Sequence, residues 1–492
     1  MPIPFSTFPA NLRTPHVGVE IDSSLAQAGL SLKPHTGLIV AQLLSSGTVA
    51  ALTPTKVTNA GQASVFFGAG SVAHNMAKAW LDRNAFTPLW VCGVVDNGTT
   101  YATGTLLFAG TATASGTAVV YVGGRRHAVA IAIGDTAANV ATNVDAVIGV
   151  THPDVPVTSG VVTATVTFTA RNAGTCGNEI DLRVGYYADE VLPAGITVTL
   201  AEMGAVIAGA TDPDITTVWP VLGETWYTDV AVGWSNAATV TALETEFADR
   251  WEPDRMLEAH GFMALRDTHS NLITTGNGYN SPNLTVLGAN RAASSSFEIA
   301  ASLGAMASYF LGAKPSRPLQ TLEFTGLLGP VGADVFDLAE RNLLLFDGIA
   351  TYRMDAGGKF LVDRAITTYQ TSALGAPDTA FLDIQTRYTL AYLSYDWRTM
   401  LQTRYPRHML GDDGVREFGA GNQVMTPLGM KGEAVTRYRL WMSQALVEDL
   451  DAFKANVKAE RNPTDPNRLD TLLPVNLINQ LRIVATLIQF TL

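Results

Sequence analysis

Two cysteines in 492 residues, Cys92 and Cys176, are too few for a disulfide framework or a sulfur-rich metal cluster, and they fit a reducing compartment. Charge is scarce as well. Only 15% of residues are Asp, Glu, Lys or Arg, against roughly a quarter in ordinary globular domains, while 47% are hydrophobic. So lean a solvent-facing surface suggests that much of it is covered by partners. The formal net charge is −12 with no basic run to offset it, which argues against a nucleic-acid binder. No stretch approaches the ~20 uninterrupted apolar residues of a membrane span. The opening MPIPFSTFPANLRTP lacks the basic-then-apolar order of a signal peptide, so a soluble intracellular product without membrane insertion is expected. The eight histidines are dispersed, with no H-x-x-x-H pair, and no glycine-rich loop ends in Gly-Lys-Ser/Thr. No metal and no cofactor is expected.

What the chain does have is a mosaic of patterns. Residues 1–15 carry four prolines and read as an extended arm. HVGVEID then alternates, with Val17, Val19 and Ile21 on one face of an edge-type strand. From Lys33 the pattern is α/β. HTGLIVAQLL and ASVFFG are strand candidates, SVAHNMAKAWLDRN is a helix with Ser71 as N-cap, and PLWVCGVVD is the next strand. From Asn97 to about Ala205, Thr, Val, Ala and Gly dominate in short alternating strands, with one helix candidate in TAANVATNVDAVI. This predicts an all-β sandwich or barrel spliced into the α/β domain. The α/β pattern then resumes in WYTDVAVGWS, GFMALR, LTVLGAN, a small-residue helix SSSFEIAASLGAMASYFLG and the strand FLVDRAITTYQ.

The last hundred residues read as two long helices. One is capped around Asp378 with Ile384, Tyr388, Ala391 and Tyr395 on a stripe, and the other spans KGEAVTRYRLWMSQALVEDLDAFKANVKAER. After the turn-rich RNPTDPNR, the chain ends as strands. Its final LRIVATLIQFTL is apolar on both faces: Ile483 and Leu487 on one, Val484, Ile488 and Phe490 on the other. A chain end of that composition needs a sheet to enter.

Chemistry candidates are few. In VFFGAGSVAHNM, Gly68-x-Gly70-x-x-Ala73 opens a helix, and Asp96 ends the next strand candidate. That matches a dinucleotide fingerprint in outline and makes an NAD-dependent oxidoreductase the alternative reading; the competing one is a tight turn in any α/β fold. VGWSNA resembles a nucleophile elbow at Ser235, with His260, His269 and His408 downstream, but a serine there is more simply a cap or turn residue. Arg125-Arg126 reads as a solvated turn pair, and Tyr388, Tyr392, Tyr395 and Trp397 as helix packing. No catalytic residue is assigned.

FPANLRTPHVGVEID, TFTARNAGTCGNEIDLRVGYY and LVDRAITTYQTSALGAPDTAFLDIQTRYTLAYLSYDWR together resemble the tail sheath proteins of contractile bacteriophage tails, in their Mu-like branch. The resemblance implies a structural, non-enzymatic virion subunit, assembled in the host bacterial cytoplasm as hexameric rings stacked around the tail tube. Contraction would drive the tube through the host envelope. Its partners would be further copies of itself and the tube, baseplate and tail terminator proteins. It also implies terminal arms that add strands to neighbouring subunits, here through Val17, Val19, Ile21, Ile483, Val484, Leu487, Ile488 and Phe490. The expected layout is an N-terminal arm (1–22), a core α/β domain (23–96 and 206–376), an inserted β-rich outer domain (97–205), a helical tube-facing domain (377–475) and a C-terminal strand arm (476–492).

Overall fold

The structure is a computed structural model that describes residues 14–15, 32–414 and 422–491. These divide into a large unit, 34–391 with 479–491, and a small unit built on 392–478.

The large unit is organised by β1 (Gly37–Gln42), whose six residues GLIVAQ are all buried. A strand apolar on both faces must lie inside a sheet that is covered on both sides. The chain continues through β2 (Thr55–Val57), α1 (Ala60–Phe67), α2 (Val72–Arg83) and β3 (Leu89–Val94). After a long excursion it resumes with the short α4 (Trp219–Leu222) and, beyond it, the strand Asp229–Val232, the helix Ala237–Arg250, and the strands His260–Leu265 and Leu284–Gly288. These strands form one six-stranded sheet in the order 284–288, 260–265, 229–232, β1, β3, β2, parallel except for β2. Both faces are covered. A Cβ on Gly261 would lie 2.5 Å from Phe247 of the 237–250 helix, whereas the next residue, Phe262, packs at Gly304 of the 296–313 helix. Successive strand residues point to opposite faces, so these two helices lie on opposite sides. Trp80 of α2 fits only because it meets two glycines: a Cβ on Gly37 would stand 2.3 Å from its ring, and one on Gly304 2.8 Å.

The excursion contains β4 (Thr103–Gly110), β5 (Gly116–Val122), β6 (Arg125–Ile131), α3 (Ala137–Val147), β7 (Val157–Val162), β8 (Thr165–Ala170), β9 (Leu182–Val184) and β10 (Ile196–Ala201). They pair into two antiparallel sheets, β10-β4-β8-β7 and β6-β5-β9. The segment is not purely β, because α3 packs on strands of both sheets through the buried Val140, Ala141 and Val144. Numbering continues with β11 (Asp229–Val232), α5 (Ala237–Arg250), β12 (His260–Leu265), α6 (His269–Gly276), β13 (Leu284–Gly288), α7 (Ser296–Ala313), α8 (Leu338–Phe346), β14 (Thr351–Met354), β15 (Phe360–Arg364) and α9 (Ile384–Arg404).

The small unit holds β16 (Met409–Leu410), β17 (Val424–Met425), α10 (Pro427–Ser443), α11 (Leu450–Asn456) and a hairpin of β18 (Lys458–Arg461) with β19 (Leu469–Leu472). Its core gathers Leu393, Tyr438, Trp441, Val447 and Phe453. Tyr438 stacks on Phe453 with ring centroids 3.9 Å apart.

ASVFFG is the second half of a helix, α1, not a strand. The helix expected to be capped around Asp378 begins only at Ile384; Asp378 instead accepts from Tyr369 Oη and from the backbone N–H of Ala380. The last long helix is broken in two, since Ala445 and Asp449 adopt left-handed conformations at φ 47° and 58°, and its end is the strand β18. Beyond β19 the chain forms no further strand with the described residues.

Candidate functional site

In a parallel sheet, ligands sit outside the carboxyl ends of the strands where the strand order reverses, here between β1 and β11. That place is occupied by the chain itself. A single-turn helix, Thr175–Glu179, lies against the ends of β1 and β11. Gln42, the last residue of β1, bonds Asp96 at 2.7 Å, the Ala173 carbonyl at 2.6 Å and the Cys176 thiol at 2.8 Å. Asp212 accepts from the Thr175 backbone N–H and hydroxyl and from Asn236, at 2.6–2.8 Å. What remains is a cavity of about 10 Å³ lined by Cys176, Glu179, Trp234, Ser235 and Ser296. That is room for one water. Burial pushes the Glu179 carboxyl up to about 7, and it drives the Cys176 thiol well above its ordinary range, so that thiol is inert.

The oxidoreductase alternative fails on the same ground. Gly68-x-Gly70-x-x-Ala73 follows a helix, not a strand, and its turn is already filled. A Cβ on Gly70 would lie 2.5 Å from the Val155 carbonyl oxygen and 2.8 Å from the Arg171 side chain. The N–H groups that would cradle a pyrophosphate are taken: Val72 N–H donates to Asn172, and His74 N–H to Ser71. Asp96, the supposed ribose ligand, accepts from Gln42, Asn172 and the Ala173 N–H. Ser235 has no histidine within a triad. His260 bonds Thr285 and His269 bonds the Glu340 carbonyl, and the cap of α5 is Asn236, one residue later. Arg125, expected in a solvated turn, is a buried hub of β6 that donates to Glu298, Asp154 and Asn75 at 2.7–3.2 Å. Those carboxylates hold its guanidinium above the ordinary range against the opposing effect of burial. Arg126, its neighbour, is the exposed one and pairs with Glu190.

The unpartnered chemistry lies at the C-terminus. Leu481, Ile483, Val484, Leu487, Ile488 and Phe490 are each 73–84% exposed. Few segments expose so many large apolar side chains in succession, and runs of this size mark interaction sites. Both the odd and the even positions are apolar, so neither face of this extended segment is finished. Val17, Val19 and Ile21 lie outside the described residues. In the small unit, β18 and β19 form a two-stranded sheet packed on α10, with no third strand among the described residues. No helix among the described residues is long and apolar enough to cross a membrane.

Comparison with known proteins bears directly on this region. The family model of the phage tail sheath protein central domain matches residues 208–368, and that of the phage tail sheath C-terminal domain matches 376–491. A Mu-like prophage FluMu tail sheath protein of Haemophilus influenzae is 34% identical over 493 residues, covering 100% of both chains. The chain belongs to the phage tail sheath family. Among solved structures, the sheath tail protein of Desulfitobacterium hafniense is similar with a TM-score of 0.47 at 12% identity, covering 94% of this chain and 100% of that one. The anti-feeding prophage helical sheath in its contracted state is similar with a TM-score of 0.48 at 13% identity, covering 98% and 99%.

For a sheath protein of the Mu-like branch, the sequence signals fall unevenly. The apolar tail was legible because hydrophobic residues at a chain end are rare. The filled crevice was not. Its parts, Gln42, Asp96, Asn172, Thr175 and Asp212, are scattered polar residues that look like loop positions until the fold brings them together.

Proposed function

We propose that this chain is the structural subunit of a contractile tail sheath. Copies polymerise as stacked hexameric rings around the tail tube, and contraction, triggered at the baseplate, drives the tube through the host envelope. The observation that carries the reading is the arm 481–490, whose six large apolar side chains have no cover within their own subunit. Burying them in a neighbour would contribute on the order of 10 kcal/mol before ordering costs. A two-stranded sheet such as β18–β19 is the kind of edge to which such a strand adds, by main-chain hydrogen bonds that hold subunits together while their bodies move. Val17, Val19 and Ile21 would form the matching N-terminal strand. In this reading the 97–205 segment faces outward, the 377–475 segment faces the tube, and hinges lie at 11–15 and 474–480. The tube, baseplate and tail terminator proteins are the remaining partners. The role is non-enzymatic, in keeping with the filled crevice of the parallel sheet.

The test is truncation. Protein lacking residues 479–492 is expected to stay folded and monomeric where the full chain forms cylinders in negative-stain images. Cylinders of normal appearance from the truncated protein would overturn the strand-exchange reading.

A further inference from the structure

The arm is not tethered loosely. Arg482, one residue into its apolar run, is turned inward while its neighbours face solvent; its side chain is 13% exposed and that of Asp383 is 18%. Its guanidinium donates to Asp383 at 2.9 Å, to Gln385 at 3.1 Å and to Gln320 at 3.2 Å. Asp383 is itself held by Arg364, whose Nη2 and Nε reach its two oxygens at 3.0 and 3.2 Å. A carboxylate fixed by one arginine is thus presented to a second that belongs to the arm. Three directed bonds from a planar guanidinium define a position, which a single lysine contact would not.

Position matters here because the arm's own pattern specifies register poorly. In a strand with one polar face, a slip of one residue turns the wrong face inward and is penalised. Ile483 to Phe490 is apolar on both faces, so a slip exchanges one apolar set for another. Something outside the strand must set which residue meets which. Upstream of Arg482, the last main-chain anchor is Ile478 N–H to the Leu446 carbonyl. With the arginine bound, the free segment is 483–490, about 26 Å when extended; released, it would begin at 479 and gain roughly 13 Å.

We propose that Arg482, seated on Asp383, is a positioning residue that sets the free length and strand register of the C-terminal arm where it enters a second copy of this chain. The inference rests on the arm-exchange reading above. Arg482 touches no neighbour in this scheme. It acts on its own subunit, through the point from which Ile483 and the following residues project.

The experiment compares the full-length protein with Arg482→Ala, Arg482→Lys and the protein lacking 479–492. Critical concentration for assembly, cylinder regularity in electron micrographs and the thermal midpoint of unassembled protein are measured for each. Arg482→Ala is expected to raise the critical concentration about tenfold or more and to give irregular polymers, with the midpoint within about 2 °C of the parent. Arg482→Lys should recover part of the loss. Regular polymers from Arg482→Ala at the parental concentration, with the truncated protein failing to assemble, would overturn this inference alone. Normal assembly by the truncated protein would remove the arm-exchange reading and this inference with it. If Arg482→Ala also lowers the midpoint, assembly well below that midpoint, where the variant is folded, decides: irregular polymers support the clip and regular ones overturn it.

Discussion

Buried charge locates the side chains on which the small unit depends. Asp396 is fully buried and accepts from the Arg437 guanidinium and from Trp441 Nε1. Removing one partner of a buried pair costs far more than the pair contributes, because the remaining charge loses its compensation. Asp396→Ala is therefore expected to destabilise the small unit by about 3–5 kcal/mol, read as a lowered urea midpoint. Asp396→Asn, which keeps an acceptor for Trp441, should cost less. At this scale the sequence told some roles and hid others. Ser71 was readable as a cap from its place before Val72, Met76 and Trp80, and it accepts from the His74 N–H as expected. Arg482 was not, because an arginine inside an apolar strand looks like an ordinary solvated residue until Asp383, 99 positions earlier, is brought beside it.

Among the elements, α1 shows where local pattern misleads. ASVFF has the β-branched and aromatic content of a strand. Yet Asn59 caps the helix by accepting from the Gln62 N–H, and Gln62 reaches back to the Thr58 N–H. An Asn followed three residues later by Gln is a helix-start signal, and it outweighed propensity. The break between α10 and α11 was hidden for the opposite reason. VTRYRLWMSQALVEDLDAF keeps good helix formers throughout, and nothing local announces the left-handed turns at Ala445 and Asp449. The turn before α2 offers an element-level test. Gly70 has φ +80°, and a side chain there would meet the Val155 carbonyl. Gly70→Ala is expected to lower stability by at least about 1–2 kcal/mol through strain and crowding. A thermal shift of several degrees, with no nucleotide dependence in either protein, is the outcome to look for; an unchanged midpoint would contradict the packing described.

For the whole molecule, three buried histidines contribute to the response to acid. Desolvation, chiefly, lowers His74 and His127 to about 4 and His260 to about 3, from an ordinary value of 6.5. The unfolded chain therefore binds more protons between pH 6.5 and about 4. Their contribution is complete above 6.5 and is lost as pH falls through that window. Glu179, raised from 4.5 to about 7 by burial, acts in the reverse sense: its contribution is present below 4.5 and is lost as pH rises through 7. The histidine contribution alone should make the thermal midpoint fall from pH 6.5 to 4. His127→Gln should flatten that slope, and Glu179→Gln should raise stability above pH 7. The α/β framework of the large unit was legible in the chain because its strands are short apolar runs with clear breaks. The filling of the crevice was not, since it depends on residues 172–179 returning to a sheet whose first strand begins at Gly37, far earlier in the chain.

If each copy lodges its C-terminus in the next, contact is made head to tail, and every growing end presents the same unmet need as the first. Where that contact steps from one ring to the next instead of closing a ring, addition has no internal stopping point. A polymer built this way carries its spacing in the subunit but not its length. The number of rings must be measured by something other than the sheath chain, and the last copy must be covered by a different molecule if its apolar residues are not to seek further partners.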